Sequence, residues 1–121
     1  MTARKLRAHS NNLYGDVNLV SGVPWPVLEV VPGWHRFRLL NSGPVRPYHL
    51  LLIDEATGQQ VSGDICWVVG GDGGYRATGP VRFPKRGMFV GVAERMDVVC
   101  DFSGMPGKKL ILWVSGWGIK D

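Results

Sequence analysis

The chain has 121 residues, enough for one domain with a hydrophobic core and too few for two. Hydrophobic residues make up 45% and charged residues 20%, which is typical of a globular protein and excludes disorder along the whole chain. The net charge of +4 is small and partly reflects Arg4, Lys5 and Arg7, so charge gives no case for nucleic-acid binding.

The first predicted elements lie before residue 32. Residues 1–13 are polar and basic, and we interpret them as a linker or flexible lead-in to a domain over residues 14–121. Val17–Val20 is a short strand candidate, followed by a turn. Trp25–Val31 is predicted to form a second strand, because prolines are tolerated at the start or edge of a sheet.

The middle of the chain has the clearest strand patterns. In Trp34–Asn41 the even-numbered residues face one way and the odd-numbered residues the other. Tyr48–Ile53 is apolar nearly throughout, which predicts burial of both faces. Asp64–Val69 is the next predicted strand and ends at a run of glycines.

That glycine-rich run, Gly70–Gly74, lacks the Gly-Lys-Ser/Thr ending of a phosphate-binding loop. We interpret it as a tight turn in which glycines supply positive φ and Asp72 makes a local side-chain bond. The last predicted strands are Gly87–Ala93, Arg95–Phe102 and Lys108–Val114. The second of these has a core side formed by Met96, Val98, Cys100 and Phe102.

The pattern as a whole predicts an all-β fold. No segment has a helical period of 3.6 residues with caps. About seven to eight short strands, spaced about ten residues apart, are typical of a β-sandwich or Greek-key barrel. No apolar run approaches the ~20 residues of a membrane span, and the N-terminus lacks the apolar stretch of a secretory signal. We therefore expect any signal of a secreted or periplasmic protein to lie outside this chain.

Two alternatives are open for the cysteines, Cys66 and Cys100. Each is flanked by apolar residues, so both are interpreted first as buried thiols that behave as small hydrophobes. A disulfide between them is the alternative, because sequence does not determine their geometry.

The histidines do not complete a copper site. A blue-copper centre needs two His and a Cys, and a multinuclear copper site would need His-X-His pairs. His9, His35 and His49 all precede both cysteines and form no such pair. We interpret His35 and His49 as packed or hydrogen-bonded, and His9 as solvated.

Other catalytic patterns are also missing. The serines lack the Gly-X-Ser-X-Gly frame of a nucleophile turn. Glu94 and Asp97, with Arg95 between them, are interpreted as a charge and hydrogen-bond network at the start of a strand.

The five tryptophans are divided between two roles. Trp34 and Trp67 lie inside predicted strands and are expected in the core. Trp25, Trp113 and Trp117 lie at strand ends, where they would cover a neighbouring domain or cap this one.

A series of short motifs runs in order from about Tyr14 to Trp113. Its members include Trp25, Pro26, Arg36, Arg38, Asn41, Arg46, Asp72, Gly73, Gly74, Glu94, Arg95 and Asp97. No single motif is diagnostic, but their order and spacing resemble the second domain of multicopper oxidases of the bilirubin oxidase and spore-coat laccase type.

The resemblance implies a cupredoxin-like Greek-key β-barrel or sandwich. In such enzymes the first and third domains bind copper and the second holds them in place. It implies a metal-free scaffolding domain, inactive alone, whose partners are the copper-binding cupredoxin domains of the same enzyme. The full enzyme would couple one-electron oxidation of phenol-like or pyrrole-like substrates to reduction of O₂ to water. No catalytic, cofactor-binding or metal-binding residue is carried over to this chain.

An alternative from another class is a freestanding, non-catalytic β-sandwich. It would bind a partner protein or ligand through the surface of Trp25, Trp113 and Trp117. The chain also departs from the family pattern: residues 1–13 are shorter than the usual linker, and Val114–Trp117 replaces an end that often contains Asn.

Overall fold

A computed structural model gives the fold and describes residues 17–115. Ten strands and one short helix occupy this part of the chain. The strands are β1 Leu19–Val20, β2 Val23–Pro24, β3 Trp34–Leu40, β4 Tyr48–Asp54, β5 Cys66–Gly71, β6 Gly74–Tyr75, β7 Val81–Arg82, β8 Met88–Val90, β9 Arg95–Asp101 and β10 Leu110–Ser115; the helix, α1, is Ser62–Ile65.

Two antiparallel sheets and one hairpin make up the architecture. The smaller sheet has the order β10-β4-β8. The larger has the order β3-β9-β5-β6, with β7 also paired to β5, and β1 pairs only with β2. The predicted all-β fold is confirmed. More strands are found than the expected seven to eight because several consist of only two residues, too short to show a period.

The hydrophobic core lies between the two sheets. β4 and β8 contribute residues from one side, and β5 and β9 from the other, so neither sheet buries its apolar face alone. The predicted alternation of β3 is confirmed, since its even-numbered residues are exposed. The core residues are Leu50, Cys66, Val68, Phe83, Met88, Val90, Val98, Cys100 and Phe102.

Cys66 and Cys100 are directly opposite each other on β5 and β9 and form a disulfide, with Cα atoms 4.1 Å apart. The interpretation as two free thiols is therefore wrong and its alternative is correct. Strand alternation puts both side chains inside, but nothing in the sequence shows that β5 and β9 are neighbours.

β4 is only partly buried, against the expectation that both its faces are covered. Leu50 and Asp54 are buried, whereas Leu51 and Ile53 are partly exposed. The apolar run therefore has one face on the core and one face outside, which hydrophobicity alone cannot distinguish from double burial.

The predicted strand at Trp25–Val31 is wrong: the extended hairpin residues end at Pro24. Trp25 has a φ of 50°, in the left-handed region, which turns the chain away from an extended path. Pro24 and Pro26 also lack the amide donor that a sheet ladder needs. Trp25 is 83% exposed.

The helix α1 was not expected, because four residues cannot display a helical period. Its first residue, Ser62, is buried, and its Oγ accepts hydrogen bonds from the amide of Leu52 (3.2 Å) and from Nε2 of Gln60 (3.0 Å). These bonds attach the helix to β4. Among the described residues, no helix is long and apolar enough to span a membrane.

The glycine-rich run is a tight turn, as predicted. Gly71 pairs with Gly74, so Asp72 and Gly73 form the connection between β5 and β6. The register of β5 on β9 shifts between Val68 and Gly70, which marks a bulge. A Cβ atom at Gly70 would lie 2.7 Å from the carbonyl oxygen of Gly74, so any other residue there would force the backbone to move.

Candidate functional site

The most buried polar member of the motif series is Asn41, which is 2% exposed. Its Nδ2 donates to the carbonyl oxygens of Arg46 (2.7 Å) and Val90 (3.2 Å), and its Oδ1 accepts from the amide of Gly43 (3.0 Å). A buried amide with three such bonds is well satisfied. Asn41 thereby fixes the end of β3, the loop that follows it and the end of β8.

Asn41 also holds the turn that leads into β9. The backbone amide of Asn41 donates to the backbone carbonyl of Glu94 (3.1 Å), and its backbone carbonyl accepts from the backbone amide of Ala93 (2.9 Å). Within the turn, Oε2 of Glu94 accepts from the amide of Gly91 (2.6 Å). Ala93 adopts a φ of 63°, which these bonds stabilise. Asn41 and Glu94 therefore bind backbone groups of the turn that precedes β9.

Arg36 and Asp97 form an ion pair on the outer face of the larger sheet. Nε of Arg36 donates to Oδ1 of Asp97 (2.8 Å), and Nη2 donates to Oδ2. Nη2 also donates to the hydroxyl of Tyr75 (3.2 Å), and the guanidinium lies 5.6 Å from the centre of that ring. The hydrogen bond from Arg36 holds the pKa of Asp97 below its ordinary value, and the same bond raises the pKa of Arg36.

Asp72 and Arg95 form a second, more exposed pair. Nε of Arg95 donates to Oδ1 of Asp72 (2.5 Å), and the backbone amide of Arg95 donates to Oδ2 (3.2 Å). The Arg95 side chain, more than its amide, lowers the pKa of Asp72. The turn after β5 is thus tied to the start of β9, whereas the sequence predicted a local bond for Asp72.

The predicted network of Glu94, Arg95 and Asp97 is not formed among these residues. Glu94 binds its own turn, Arg95 binds Asp72, and Asp97 binds Arg36. Arg95 and Asp97 both lie at the start of β9, which has β3 on one side and β5 on the other. Each side chain therefore finds its partner on a neighbouring segment and not within its own strand. The partners assigned from sequence are therefore wrong, and the structural role of these residues stays a prediction.

The remaining motif residues lie at the surface. Arg38 is exposed on β3, opposite Asp97 in the register, and Trp25 and Pro26 lie just after β2. Arg46 is exposed, and its carbonyl accepts from Asn41. Gly73 and Gly74 form the β5–β6 turn, where Gly74 has a φ of 111°.

Within residues 17–115, the histidines and cysteines do not converge on a common point. His35 donates through Nε2 to the carbonyl of Val31 (2.7 Å), and His49 meets the ring of Phe89 edge-on at 5.3 Å. Both cysteines are in the disulfide, and His9 lies outside the described residues. Within residues 17–115, no group of three or more His, Cys, Asp or Glu side chains is placed to hold a metal ion.

The outer surface of the smaller sheet is apolar. Residues that alternate with the core positions of β4 and β10 point outward, and Phe89 on β8 joins them beside His49. Phe89 and Trp113 are each 50% exposed. We call this surface the apolar face; it consists of Leu51, Ile53, Phe89, Ile111 and Trp113.

The outer surface of the larger sheet has a different character. Trp34, 63% exposed, lies 5.4 Å from Trp67 between ring centres, and the guanidinium of Arg82 lies 4.9 Å from the Trp67 ring. The expectation that Trp34 and Trp67 are core residues is therefore wrong. Trp34 shares a strand face with Arg36, and Trp67 lies between the buried residues Cys66 and Val68, so alternation directs both outward.

A second apolar surface lies along residues 17–31. All of these residues are exposed. Many of them are large and apolar, and a surface in contact with water rarely has so many such residues side by side. The large apolar residues among them are Val17, Leu19, Val20, Val23, Trp25, Val27, Leu28, Val30 and Val31. Trp25 and Trp113 are thus exposed, while Trp117 lies outside the described residues.

Comparison with known proteins identifies relatives over most of the chain. A laccase from Bacillus stratosphericus is 38% identical over 98 residues, which are 81% of this chain and 17% of the relative. A bilirubin oxidase from Albifimbria verrucaria is 32% identical over 105 residues, covering 84% of this chain and 17% of the relative. Cell division protein FtsP from Rahnella is 32% identical over 94 residues, covering 78% and 18%. No family model matches the chain.

The fold has relatives among solved structures as well. A variant of the multicopper oxidase McoA from Aquifex aeolicus superposes with a TM-score of 0.72 at 31% identity, covering 84% of this chain and 21% of that one. The chain thus spans about a fifth or less of the proteins that it matches. Sequence and fold agree that this chain is a cupredoxin-like domain of the multicopper oxidase family.

Proposed function

We propose that this chain is the second, scaffolding domain of a multicopper oxidase and itself binds no copper. In this proposal, the copper-binding cupredoxin domains of the same enzyme carry out the redox chemistry. The full enzyme removes single electrons from phenol-like or pyrrole-like substrates and reduces O₂ to water. The observation that carries the proposal is the match to a laccase and a bilirubin oxidase over about four-fifths of this chain.

The use of the polar motif residues supports a scaffolding role. Asn41 and Glu94 satisfy backbone groups of two connections. Arg36 on β3 is paired with Asp97 on β9, and Arg95 on β9 with Asp72 in the turn between β5 and β6. A group engaged in this way contributes to the rigidity of the domain. A rigid domain is what a position between two copper-binding domains requires, because the distances between copper centres must be kept.

The apolar face supports a docking role. It presents aliphatic and aromatic side chains from three adjacent strands, and aromatic residues are favoured in the centre of protein interfaces. We assign this face, together with residues 17–31, to contacts with the flanking copper-binding domains. Their burial would contribute the hydrophobic free energy that keeps the domains in place.

The experiment that tests the proposal starts from the protein in its own cells. An antibody raised against residues 17–115 is used to isolate the native protein, and its mass, copper content and O₂-dependent oxidation of a phenolic dye are measured. We expect a mass several times the 13.3 kDa of this chain, bound copper and oxidase activity. A copper-free protein of about 13 kDa without activity would contradict the proposal.

A matched pair of substitutions then tests the docking role in the isolated enzyme. Trp113→Asn removes an exposed ring from the apolar face, and Tyr75→Asn removes an exposed ring from the other sheet. We expect Trp113→Asn to lower the midpoint of thermal inactivation and to release copper earlier than Tyr75→Asn does. Equal effects of the two changes would contradict the assignment of this face.

A second candidate function is a non-catalytic domain that binds a partner protein. The observation in its favour is that a relative of 32% identity is named for cell division, not for an oxidase. The same apolar face would then bind the partner. A native protein that lacks copper but co-purifies with one stoichiometric partner, and loses it in the Trp113→Asn variant, would support this candidate over the first.

A further inference from the structure

The disulfide lies at the centre of the larger sheet. Cys66 on β5 and Cys100 on β9 face each other in register, and both strands have other strands on their far sides. The side chains of Cys66 and Cys100 are 0% and 2% exposed. The sulfur atoms therefore belong to the core and not to the surface of the domain.

This position prevents exchange in the folded domain. A thiolate must reach one of the two sulfur atoms to open a disulfide, so the rate depends on access. Here the surrounding core includes Val68, Val98 and Phe102, and access requires β5 and β9 to separate. The bond must then form before or while these strands pair, and it persists afterwards.

Disulfides of this kind are made and kept in oxidising compartments and are rare in the cytosol. We propose that this chain matures outside the cytosol, where a thiol–disulfide oxidant closes the Cys66–Cys100 bond as the domain folds. This proposal does not depend on the proposed function, since the bond lies in this chain alone.

The oxidation is a two-electron exchange. The Cys66 thiolate attacks a disulfide sulfur of the oxidant, and the oxidant's second sulfur leaves as a thiolate. The Cys100 thiolate then attacks Sγ of Cys66 in the mixed disulfide and displaces the oxidant's first sulfur. The two protons of the cysteine thiols end on the two thiols of the reduced oxidant, so atoms and electrons balance.

The test uses the protein from its own cells. Cells are fractionated, quenched with acid and denatured, and free thiols are labelled with a maleimide before and after reduction. Peptides that contain Cys66 and Cys100 are then analysed by mass spectrometry, so that cysteines elsewhere in the native protein are not counted. We expect these peptides in an extracytoplasmic fraction, with no label on either cysteine before reduction and a label on both after it.

Two outcomes would overturn the proposal: two labels before reduction, or an oxidised chain in the cytosolic fraction. An Ala77→Cys variant serves as the control, since residue 77 is exposed and its thiol must take one label.

Reduction kinetics give a second measurement on the folded wild type. We expect dithiothreitol to open the bond at least about tenfold more slowly in native buffer than in denaturant, and equal rates would contradict its protection.

Discussion

Asn41 shows how one side chain can hold several connections. Its amide bonds three backbone groups from different segments while it is almost fully buried. Removal of the side-chain amide would take this partner from the carbonyl oxygen of Val90, which is buried, and from the carbonyl of Arg46 and the amide of Gly43, which are partly buried. Such groups cost about 1–3 kcal/mol each when water cannot replace the lost bond.

We therefore predict that Asn41→Ala lowers the free energy of unfolding by about 2–4 kcal/mol. The matched control is Ser42→Ala at the next, exposed position, which should change it by less than about 0.5 kcal/mol. Urea denaturation of both variants measures the difference. A loss for Asn41→Ala as small as that of the control would show that the three bonds do not contribute.

The paired carboxylates predict the response to acid. Hydrogen bonds from Lys108, Arg95, Arg36 and Ser103 hold the pKa values of Asp54, Asp72, Asp97 and Asp101, respectively, below the ordinary value of 3.8. A carboxylate whose pKa is lower in the folded state stabilises the protein above its unfolded pKa. That contribution is lost as the pH falls through the lower, folded-state pKa.

The free energy of unfolding should therefore be nearly constant above about pH 5 and decrease as the pH falls below 3.8. Asp97→Asn should make this decrease less steep, because the Arg36 pair no longer binds or releases a proton. Unfolding curves at a series of pH values measure both slopes. The prediction would be contradicted by equal slopes for the two proteins.

For single residues, the sequence indicates which positions belong to the motif series better than it predicts their hydrogen-bond partners. Asn41 and Arg36 stand out through the family resemblance alone. Their partners Val90 and Tyr75 are 49 and 39 residues away along the chain, so only the pairing of strands reveals them.

Among the strands, β5 is the element most constrained by its neighbours. It carries one half of the disulfide, a bulge and the tight turn into β6. Each of these features restricts what can be substituted there. β5 therefore offers the clearest tests of how the larger sheet is stabilised.

Loss of the disulfide should lower stability substantially. It closes a loop of 34 residues, which in the chain-entropy account stabilises the folded state by about 4 kcal/mol. We expect Cys66→Ala/Cys100→Ala to lose about that amount in urea denaturation. The wild type, unfolded and refolded with its cysteines reduced, should match the double variant to within about 1 kcal/mol. A loss below about 1 kcal/mol would contradict a stabilising role.

The bulge predicts a contrast between two nearby glycines. Gly70→Ala places a Cβ 2.7 Å from the Gly74 carbonyl oxygen and should cost about 1–3 kcal/mol, because backbone must move. Gly73→Ala meets nothing within 4 Å and should change stability by less than about 1 kcal/mol. Thermal unfolding of the pair tests this, and an equal shift in Tm would argue against the contact.

Strand patterns were predictable where alternation was long enough to see, as in β3 and β9. The segment at Trp25–Val31 was not, because its apolar residues are exposed instead of paired. Apolar composition alone cannot distinguish a strand from a surface segment that has another partner.

For the molecule as a whole, the two outer surfaces predict different behaviour in solution. The larger sheet carries paired charges and a tilted pair of aromatic rings, whereas the smaller sheet carries the apolar face. An isolated domain would expose the apolar face to water, and such patches favour association.

We predict that the isolated chain self-associates and that Phe89→Lys reduces this association. Tyr75→Lys is the matched control, since it places the same charge at an exposed ring on the larger sheet. Sedimentation velocity at increasing concentration measures both. A wild-type chain that remains monomeric at high concentration, or equal effects of the two charges, would contradict the prediction.

The fold class and the family were within reach of the sequence. The disulfide and the outward position of Trp34 and Trp67 were not, for one physical reason. Each depends on which strands are neighbours and on which side of a strand is covered, and a single sequence does not contain this information unless its alternation is strong.

The Trp34–Trp67 pair has an optical consequence. Trp34 on β3 and Trp67 on β5 meet across β9, with ring centres 5.4 Å apart and ring planes inclined by 37°. Two indoles so close and so tilted share their excited states, and the shared transitions give paired circular-dichroism bands of opposite sign. These bands would appear only when β3 and β5 are both in register on β9, so this sheet contains its own spectroscopic reporter of correct assembly.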